Sequence, residues 1–199
     1  KGLEISEQLF PSHKQALPVL RAMIDRGMNT VYAGTCGRLF DAVSSMIGLC
    51  EKSTYDGEAA IRLSELANLN LAVDAYSYEI QEHEQKLLFN FSKMLLQIVD
   101  DLAREKDVIE ISTAFHETIV QALVDGMNQL HHTFPQYNKK IVLSGGSFHN
   151  RYLKERLIDC LSAAGFEVFT HQRIPCNDGG LSYGQLMVAA AKREGITCV

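Results

Sequence analysis

The stretch that most constrains the fold is Lys139–Asn150, which reads KKIVLSGGSFHN. A run of three apolar residues, Ile141–Leu143, has the length of a buried strand and is interrupted by Gly145 and Gly146. A polar segment follows at once, so the sequence predicts a strand, a glycine turn and a helix. A helix N-terminus presents unpaired N–H groups and the positive end of its dipole, which favour phosphate. The turn matches neither a Walker loop nor GxGxxG, so by itself it does not identify a nucleotide site.

The composition is that of a globular chain, and its 199 residues suit one domain or one large lobe of a longer protein. No apolar run is long enough to span a membrane. The net charge of −5 argues against a dominant role in binding nucleic acid. The five cysteines are scattered, odd in number and without a CxxC pair. This usage favours reduced thiols and a cytoplasmic location over a disulfide framework or a zinc site.

Hydrophobic periodicity predicts a helix-rich α/β lobe with a small sheet, extending over residues 1–199 as a single lobe. Residues 1–28 are interpreted as a helical lead-in, in which an irregular segment to Pro11 precedes a helix from His13 to Arg26. The later helices are predicted to begin at Arg38, at Tyr55, at the N-cap Ser92, at Asp107, at Arg151 and at Leu181.

Alternating residues predict the strands. Tyr76, Tyr78 and Ile80 alternate with polar residues, and after a polar break at Gln81–Gln85 the run Leu87–Phe91 is expected to be the hairpin partner. Two more strands are expected at Ile141–Leu143 and Phe166–His171.

Glycines and acids recur together at four predicted helix starts. These clusters contain Asp41, Gly57, the pair Gly145 and Gly146 with Asn150, and Asp178. Glycines allow a ligand to approach the backbone, whereas carboxylates and Asn can bind ribose hydroxyls or a metal. Taken singly, each cluster is better explained by helix capping and turn formation, whereas four clusters in one lobe favour a nucleotide cleft built at helix N-termini. Spacing alone makes Asp41 a surface acid and His116 a packed helix residue.

Five segments together resemble the C-terminal, Kae1-like part of HypF-type carbamoyltransferases, which are hydrogenase maturation proteins. In chain order they are GRLFDAVSSMIGL, YDGEAA, AFHETI, IVLSGGSFHNRYL and IPCNDGGLSYGQLMVAA. The resemblance runs from about Asn29 to Arg193. The related tRNA-threonylcarbamoylating enzymes are a looser match, since GEAFDK would be expected there in place of GRLFDA.

The resemblance implies part of the second lobe of an ATP-binding fold of the actin, Hsp70 and sugar-kinase type (ASKHA). It also implies binding of ATP or carbamoyl-adenylate and transfer of the carbamoyl group to the C-terminal cysteine of HypE during nickel–iron hydrogenase maturation. By position, Asp41 and Gly57 resemble residues that contact ribose or adenylate. Gly145, Gly146 and Asn150 resemble the nucleotide-binding turn, and Asp178 resembles a ligand of a divalent metal.

The chain departs from the family pattern in ways that limit the expected activity. No HxxxH metal motif and no DGTGxG hairpin occurs in it, and the upstream zinc-finger, acylphosphatase and adenylate-forming domains are absent. We therefore expect the isolated chain to be inactive and to need its own upstream domains and HypE as partners. Two alternatives stay open: a non-catalytic nucleotide-binding scaffold and a tRNA-modifying relative. An exposed sheet edge would also favour a homodimer of the truncated lobe.

Overall fold

The computed structural model describes residues 2–84 and 86–195, and these form two compact units that divide after Leu63. No helix in the described ranges is long and apolar enough to cross a membrane. The assignment of residues 1–199 to a single lobe stays a prediction. Cys198 lies outside the described residues.

The first unit is helical. It contains α1 (Gly2–Leu9), α2 (Leu17–Arg26), α3 (Cys36–Met46) and most of α4 (Glu58–Leu66). Its buried residues lie on α3 and α4 and in the turns that follow α3: Phe40, Val43, Ser44, Ile47, Cys50, Glu58, Ala59 and Leu63.

The lead-in was predicted incorrectly at two points. The segment before Pro11, expected to be irregular, is helical in α1, where Ile5 and Leu9 lie one turn apart and are both half-buried. Such a short segment contains too few turns for its periodicity to be recognised. The second helix begins at Leu17 instead of His13, which places Pro18 in the first turn, where its missing N–H costs nothing.

The second unit is α/β and holds two separate two-stranded sheets. Strands β1 (Glu79–His83) and β2 (Lys86–Asn90) form an antiparallel hairpin. Strands β3 (Lys140–Leu143) and β4 (Glu167–Thr170) pair in parallel, and α7 (Arg151–Ala163) is their crossover helix. The remaining helices are α5 (Ser92–Ala103), α6 (Val108–Thr133) and α8 (Leu181–Arg193).

The hairpin was predicted, but its details differ. Strand β1 starts at Glu79, and it continues to His83 through part of the expected polar break, whose last residue lies outside the described ranges. Tyr76 precedes the strand: its N–H donates to Thr118 Oγ1 (2.8 Å) on α6 and its hydroxyl to Asp101 Oδ2 (2.7 Å) on α5. The alternation of Tyr76 and Tyr78 therefore does not mark strand residues, and Tyr76 is anchored to two helices instead. Ser92 is not an N-cap, because it is the first residue of α5 and its N–H donates to Asn90 Oδ1 (3.0 Å).

Helix α6 is the centre of the second unit. Asp107 lies at its start, as predicted, and is its N-cap residue, whose side chain accepts a hydrogen bond from the Ile109 N–H (2.7 Å). The sequence predicted one apolar face, yet every residue from Ile111 to Val120 is buried. The polar members of this segment are Ser112, Thr113, His116, Glu117 and Thr118.

The buried polar residues of α6 hold neighbouring segments in place. Glu117 accepts hydrogen bonds from Arg156 Nε (3.1 Å) and Nη2 (2.7 Å) and from the Tyr152 hydroxyl (3.0 Å), all on α7. Burial alone would raise the pKa of Glu117, but the bonds from Arg156 and Tyr152 outweigh it and lower that pKa. The carboxylate is therefore charged at neutral pH and links α6 to α7.

His116 makes a second link between the same helices. Its ring is fully buried, with Nδ1 2.7 Å from the Ser112 carbonyl oxygen and Nε2 2.8 Å from Nδ2 of Asn150, which precedes α7. Burial lowers the pKa of His116 to about 4, although the bond to the Ser112 carbonyl opposes this shift. The imidazole is neutral at physiological pH.

We predict that removing the Glu117 charge destabilises the second unit. Glu117→Gln leaves the partly exposed Arg156 without a carboxylate, and we expect a loss of about 1–3 kcal/mol in the free energy of unfolding. The matched control is Glu155→Gln, which breaks an exposed pair with Arg151 and should cost less than about 0.5 kcal/mol. Urea unfolding followed by circular dichroism measures both, and equal losses would contradict the interior role of Glu117.

We also predict a specific sensitivity to mild acid. Because the pKa of His116 is about 4 in the folded chain and about 6.5 when unfolded, the unfolded chain binds more protons between these values. The free energy of unfolding should therefore decrease as the pH is lowered. His116 should account for about 2 kcal/mol of this decrease between pH 7.5 and pH 5.

The measurement compares urea unfolding of the wild type with that of His116→Gln at both pH values. The carboxylates contribute equally to both proteins, so the wild type should lose about 2 kcal/mol more than the variant. Parallel pH profiles would show that the His116 ring is accessible to protons in the folded state.

Candidate functional site

The glycine turn follows β3, as the sequence predicted, and the parallel pairing places it at the carboxyl ends of both β3 and β4. It does not lead directly into a helix. A 3₁₀ turn, Gly146–His149, begins at the second glycine and precedes α7, and Asn150 is the N-cap residue of that helix. This turn therefore lies between Gly145 and the N–H groups that begin α7.

Gly145 has a backbone conformation that only glycine adopts readily, with φ 106° and ψ 162°. Its N–H donates to the Cys176 carbonyl oxygen (2.7 Å), which ties the turn to the loop before α8. Gly146 is different, because its φ is not positive and an added Cβ would meet only the Asn177 Cβ, at 4.0 Å. The backbone conformation therefore explains why a glycine stands at Gly145, but it does not explain why one stands at Gly146.

Two glycine loops predicted independently are thus neighbours. The loop before α8 contains a 3₁₀ turn, Asp178–Gly180, in which Asn177 Oδ1 accepts from the Gly179 N–H (3.1 Å). Gly180 is required by packing, since an added Cβ would lie 2.6 Å from the Pro175 carbonyl oxygen. The Asp178 side chain is exposed beside this turn.

A cleft of about 360 Å³ opens beside the glycine turn. Its walls are the carboxyl ends of β3 and β4, the 3₁₀ turn, the first turn of α7 and the loop before α8. The lining residues are Leu143, Phe148, His149, Arg151, Lys154, Glu155, Thr170, His171, Ile174, Pro175 and Cys176.

The charged lining of the cleft favours an anion. Arg151 and Lys154 outnumber the single acid Glu155, which accepts from Arg151 Nε (2.7 Å). Across the cleft, His171 Nε2 lies 2.9 Å from Ser144 Oγ, so both groups are held at the strand ends. This arrangement of cations, hydroxyl and imidazole at the head of a helix suits a phosphate-bearing ligand. Sequence reasoning did not identify Arg151, Lys154 or His171, although the first two are the basic residues of the polar segment after the glycines.

Asn150 is buried and does not line the cleft. Its Oδ1 accepts from the Leu153 N–H (3.1 Å), which caps α7, and its Nδ2 faces His116. Its direct contact with a nucleotide stays a prediction.

The other two predicted nucleotide-binding residues belong to the first unit. Asp41 lies on α3, half-buried, and pairs with Arg38 Nη2 through Oδ2 (2.8 Å). Gly57 has φ +79° in the turn before α4. That turn is held by Glu58, whose carboxylate accepts from the Thr54 N–H (2.5 Å) and hydroxyl (2.9 Å) and pairs with Arg62. The hydrogen bonds from Thr54, chiefly the one from its N–H, lower the pKa of Glu58.

The predicted metal ligand Asp178 has no co-ligands in the described part of the chain. No group of three or more His, Cys, Asp or Glu side chains there could hold a metal ion. A single exposed carboxylate does not make a metal site, so these residues alone do not fit the divalent ion that the resemblance implies.

Comparisons with known proteins support the resemblance. Residues 2–185 match the family model described as the second subdomain of the carbamoyltransferase Kae1-like domain. The carbamoyltransferase HypF of Synechocystis sp. is 30% identical over 89% of this chain and 22% of its own length. A tRNA N6-adenosine threonylcarbamoyltransferase of Ehrlichia canis is 32% identical over 74% of this chain and 43% of its own length.

The fold is also that of a solved relative. The crystal structure of full-length HypF in the phosphate- and nucleotide-bound form superposes with a TM-score of 0.84 and 36% identity, over 94% of this chain and 24% of that one. The chain thus spans between a fifth and a quarter of the length of these two HypF proteins. It belongs to the family that comprises the second subdomain of the carbamoyltransferase Kae1-like domain.

Proposed function

We propose that this chain is the adenine-nucleotide-binding part of a HypF-type carbamoyltransferase. The observation that carries the proposal is the cationic cleft at the glycine turn, in a chain similar to a HypF whose structure holds phosphate and nucleotide. Arg151 and Lys154 attract the phosphate of ATP or carbamoyl-adenylate, and Gly146 allows it to approach the backbone. For Asp41 and Gly57, which belong to the first unit, contact with ribose or adenylate stays a prediction from the resemblance.

The complete reaction requires more than this chain. In the proposed scheme, upstream domains hydrolyse carbamoyl phosphate to carbamate and phosphate, and the carbamate then attacks the α-phosphate of ATP to give carbamoyl-adenylate and pyrophosphate. The Kae1-like domain then holds the adenylate while the C-terminal cysteine thiolate of HypE attacks the carbamoyl carbon and AMP leaves. Asp178 contributes one carboxylate to a metal site whose other ligands come from outside the chain, and we assign no step to that metal.

The tRNA-modifying alternative is weaker. The Ehrlichia canis relative shows that the likeness extends to threonylcarbamoyl transfer. However, the chain has GRLFDA where that family has GEAFDK, and its net charge of −5 disfavours a polyanionic substrate. Both families would use the cleft for an adenylate, so nucleotide binding is the part of the proposal that the two share.

The cleft predicts which charges contribute to binding. Calorimetric titration with ATP and with a non-hydrolysable carbamoyl-adenylate analogue should give saturable binding to the wild type. Arg151→Gln and Lys154→Gln should each raise the Kd about three- to tenfold, since a partly exposed cation contributes on the order of 1 kcal/mol. Lys86→Gln, on an exposed strand of the hairpin, is the control and should change nothing. Absence of binding to the wild type at millimolar ligand would overturn the proposal for this chain.

The two glycines predict opposite outcomes. Gly145→Ala should lower the free energy of unfolding by about 1–3 kcal/mol, because its φ of 106° strains any residue with a Cβ. Gly146→Ala should change that free energy by less than about 0.5 kcal/mol, yet raise the Kd for ATP about tenfold or more, because the new methyl group occupies the ligand's approach. Urea unfolding and calorimetry distinguish the two effects, and undiminished ATP binding by Gly146→Ala would remove Gly146 from the site.

A further inference from the structure

We infer that His116 is a positioning residue for the nucleotide turn, acting through Asn150 from the interior of α6. The inference rests on the proposed function for its effect on binding. Its structural content, a fixed imidazole tautomer that orients the Asn150 amide, stands independently of that function.

The tautomer follows from the acceptor at Nδ1. The Ser112 carbonyl oxygen lies 2.7 Å from His116 Nδ1, and a carbonyl oxygen can only accept, so Nδ1 carries the proton. In a neutral imidazole Nε2 is then an acceptor. The ring is fully buried between Phe115 and Tyr152, with ring centroids 5.3 and 5.5 Å away, so it cannot rotate freely.

The acceptor at Nε2 decides which way the Asn150 amide points. Asn150 Nδ2 lies 2.8 Å from Nε2, and Oδ1 lies 3.1 Å from the Leu153 backbone nitrogen. A flipped amide would place Oδ1 against the lone pair of Nε2 and the NH₂ group against the Leu153 N–H. Both contacts would be repulsive, so His116 holds the amide in its capping orientation.

The orientation of the amide determines the position of the turn. With Oδ1 capping α7, the helix begins at Arg151, and Arg151 and Lys154 in its first turns line the cleft. The Asn150 N–H donates to the Ser147 carbonyl oxygen (3.2 Å), which joins the cap to the 3₁₀ turn after the glycines. His116 does not line the cleft, so it acts on a ligand only through this chain of contacts.

Three substitutions of His116 distinguish the role of Nε2 from the role of Nδ1. Gln places its amide where Nε2 lies and can offer an oxygen to Asn150. Asn reaches only the position of Nδ1 and preserves the contact with Ser112. Leu fills the space without polar atoms. Loss of the Nε2 acceptor leaves the buried Asn150 amide without its partner, so only the Gln variant should retain function.

The experiment measures ATP affinity and the side-chain NMR signals of the same proteins. We expect His116→Asn and His116→Leu to raise the Kd for ATP about tenfold, and His116→Gln to stay within about threefold of the wild type. In an Asn150→Ala background, His116→Leu should cause no further loss. Thermal unfolding identifies any variant that fails to fold. If His116→Leu fails to fold, the ATP affinities of His116→Gln and His116→Asn are compared instead.

The NMR readout does not depend on nucleotide. Nitrogen-15 spectra of the wild type should show a protonated Nδ1 and an unprotonated Nε2, and Asn150 NH₂ protons that exchange slowly with solvent. These amide protons should exchange faster in His116→Asn and His116→Leu. A protonated Nε2 in the wild type, or an Asn150 amide unchanged in His116→Leu, would overturn the inference. Failure of the wild type to bind ATP with these signals intact would overturn only the proposed function.

Discussion

The second unit depends on one contact, the polar seam between α6 and α7. Ten consecutive residues of α6 are buried, so the helix cannot hide its polar groups on a solvent face and must satisfy them internally. Glu117 does this with Arg156 and Tyr152, and His116 does it with Ser112 and Asn150. Hydrogen bonds depend on direction in a way that apolar packing does not, so this seam sets the rotation and the start of α7. The glycine turn and the cationic cleft take their positions from that start.

The candidate site therefore has two layers. The layer beside the cleft contains Arg151 and Lys154, and the proposed function adds the backbone at Gly146 as a ligand contact. The layer behind it consists of Asn150 and His116, which are buried and hold that surface in place. Asp178 has no metal co-ligands among the described residues, and the chain matches the second subdomain of a Kae1-like domain. The proposed function accordingly assigns nucleotide binding to this chain and no chemical step.

Sequence reasoning succeeded where local rules decide the outcome and failed where packing does. It located the start of α6 at Asp107, the last helix at Leu181–Arg193, and the two strands on either side of α7, because helix starts, glycine stops and apolar runs act over a few residues. It did not predict that Tyr76 and Lys106 both donate hydrogen bonds to the Asp101 carboxylate. It also missed the tie between Gly145 and Cys176, 31 positions apart, because no periodicity encodes a backbone hydrogen bond between two loops.

The sequence by itself determined the family, the helix-rich α/β class and the glycine turns. Glycine in a positive-φ turn has few substitutes, and motif order along the chain is independent of folding. Only the tertiary structure decided what Asn150 does. From the sequence, this residue resembled a ligand contact at a turn. In the fold, both ends of its amide are engaged, one with the Leu153 N–H and one with His116 Nε2, 34 residues earlier. Orientation of an amide is a property of its partners in space, and for that reason no reading of the chain alone could assign it.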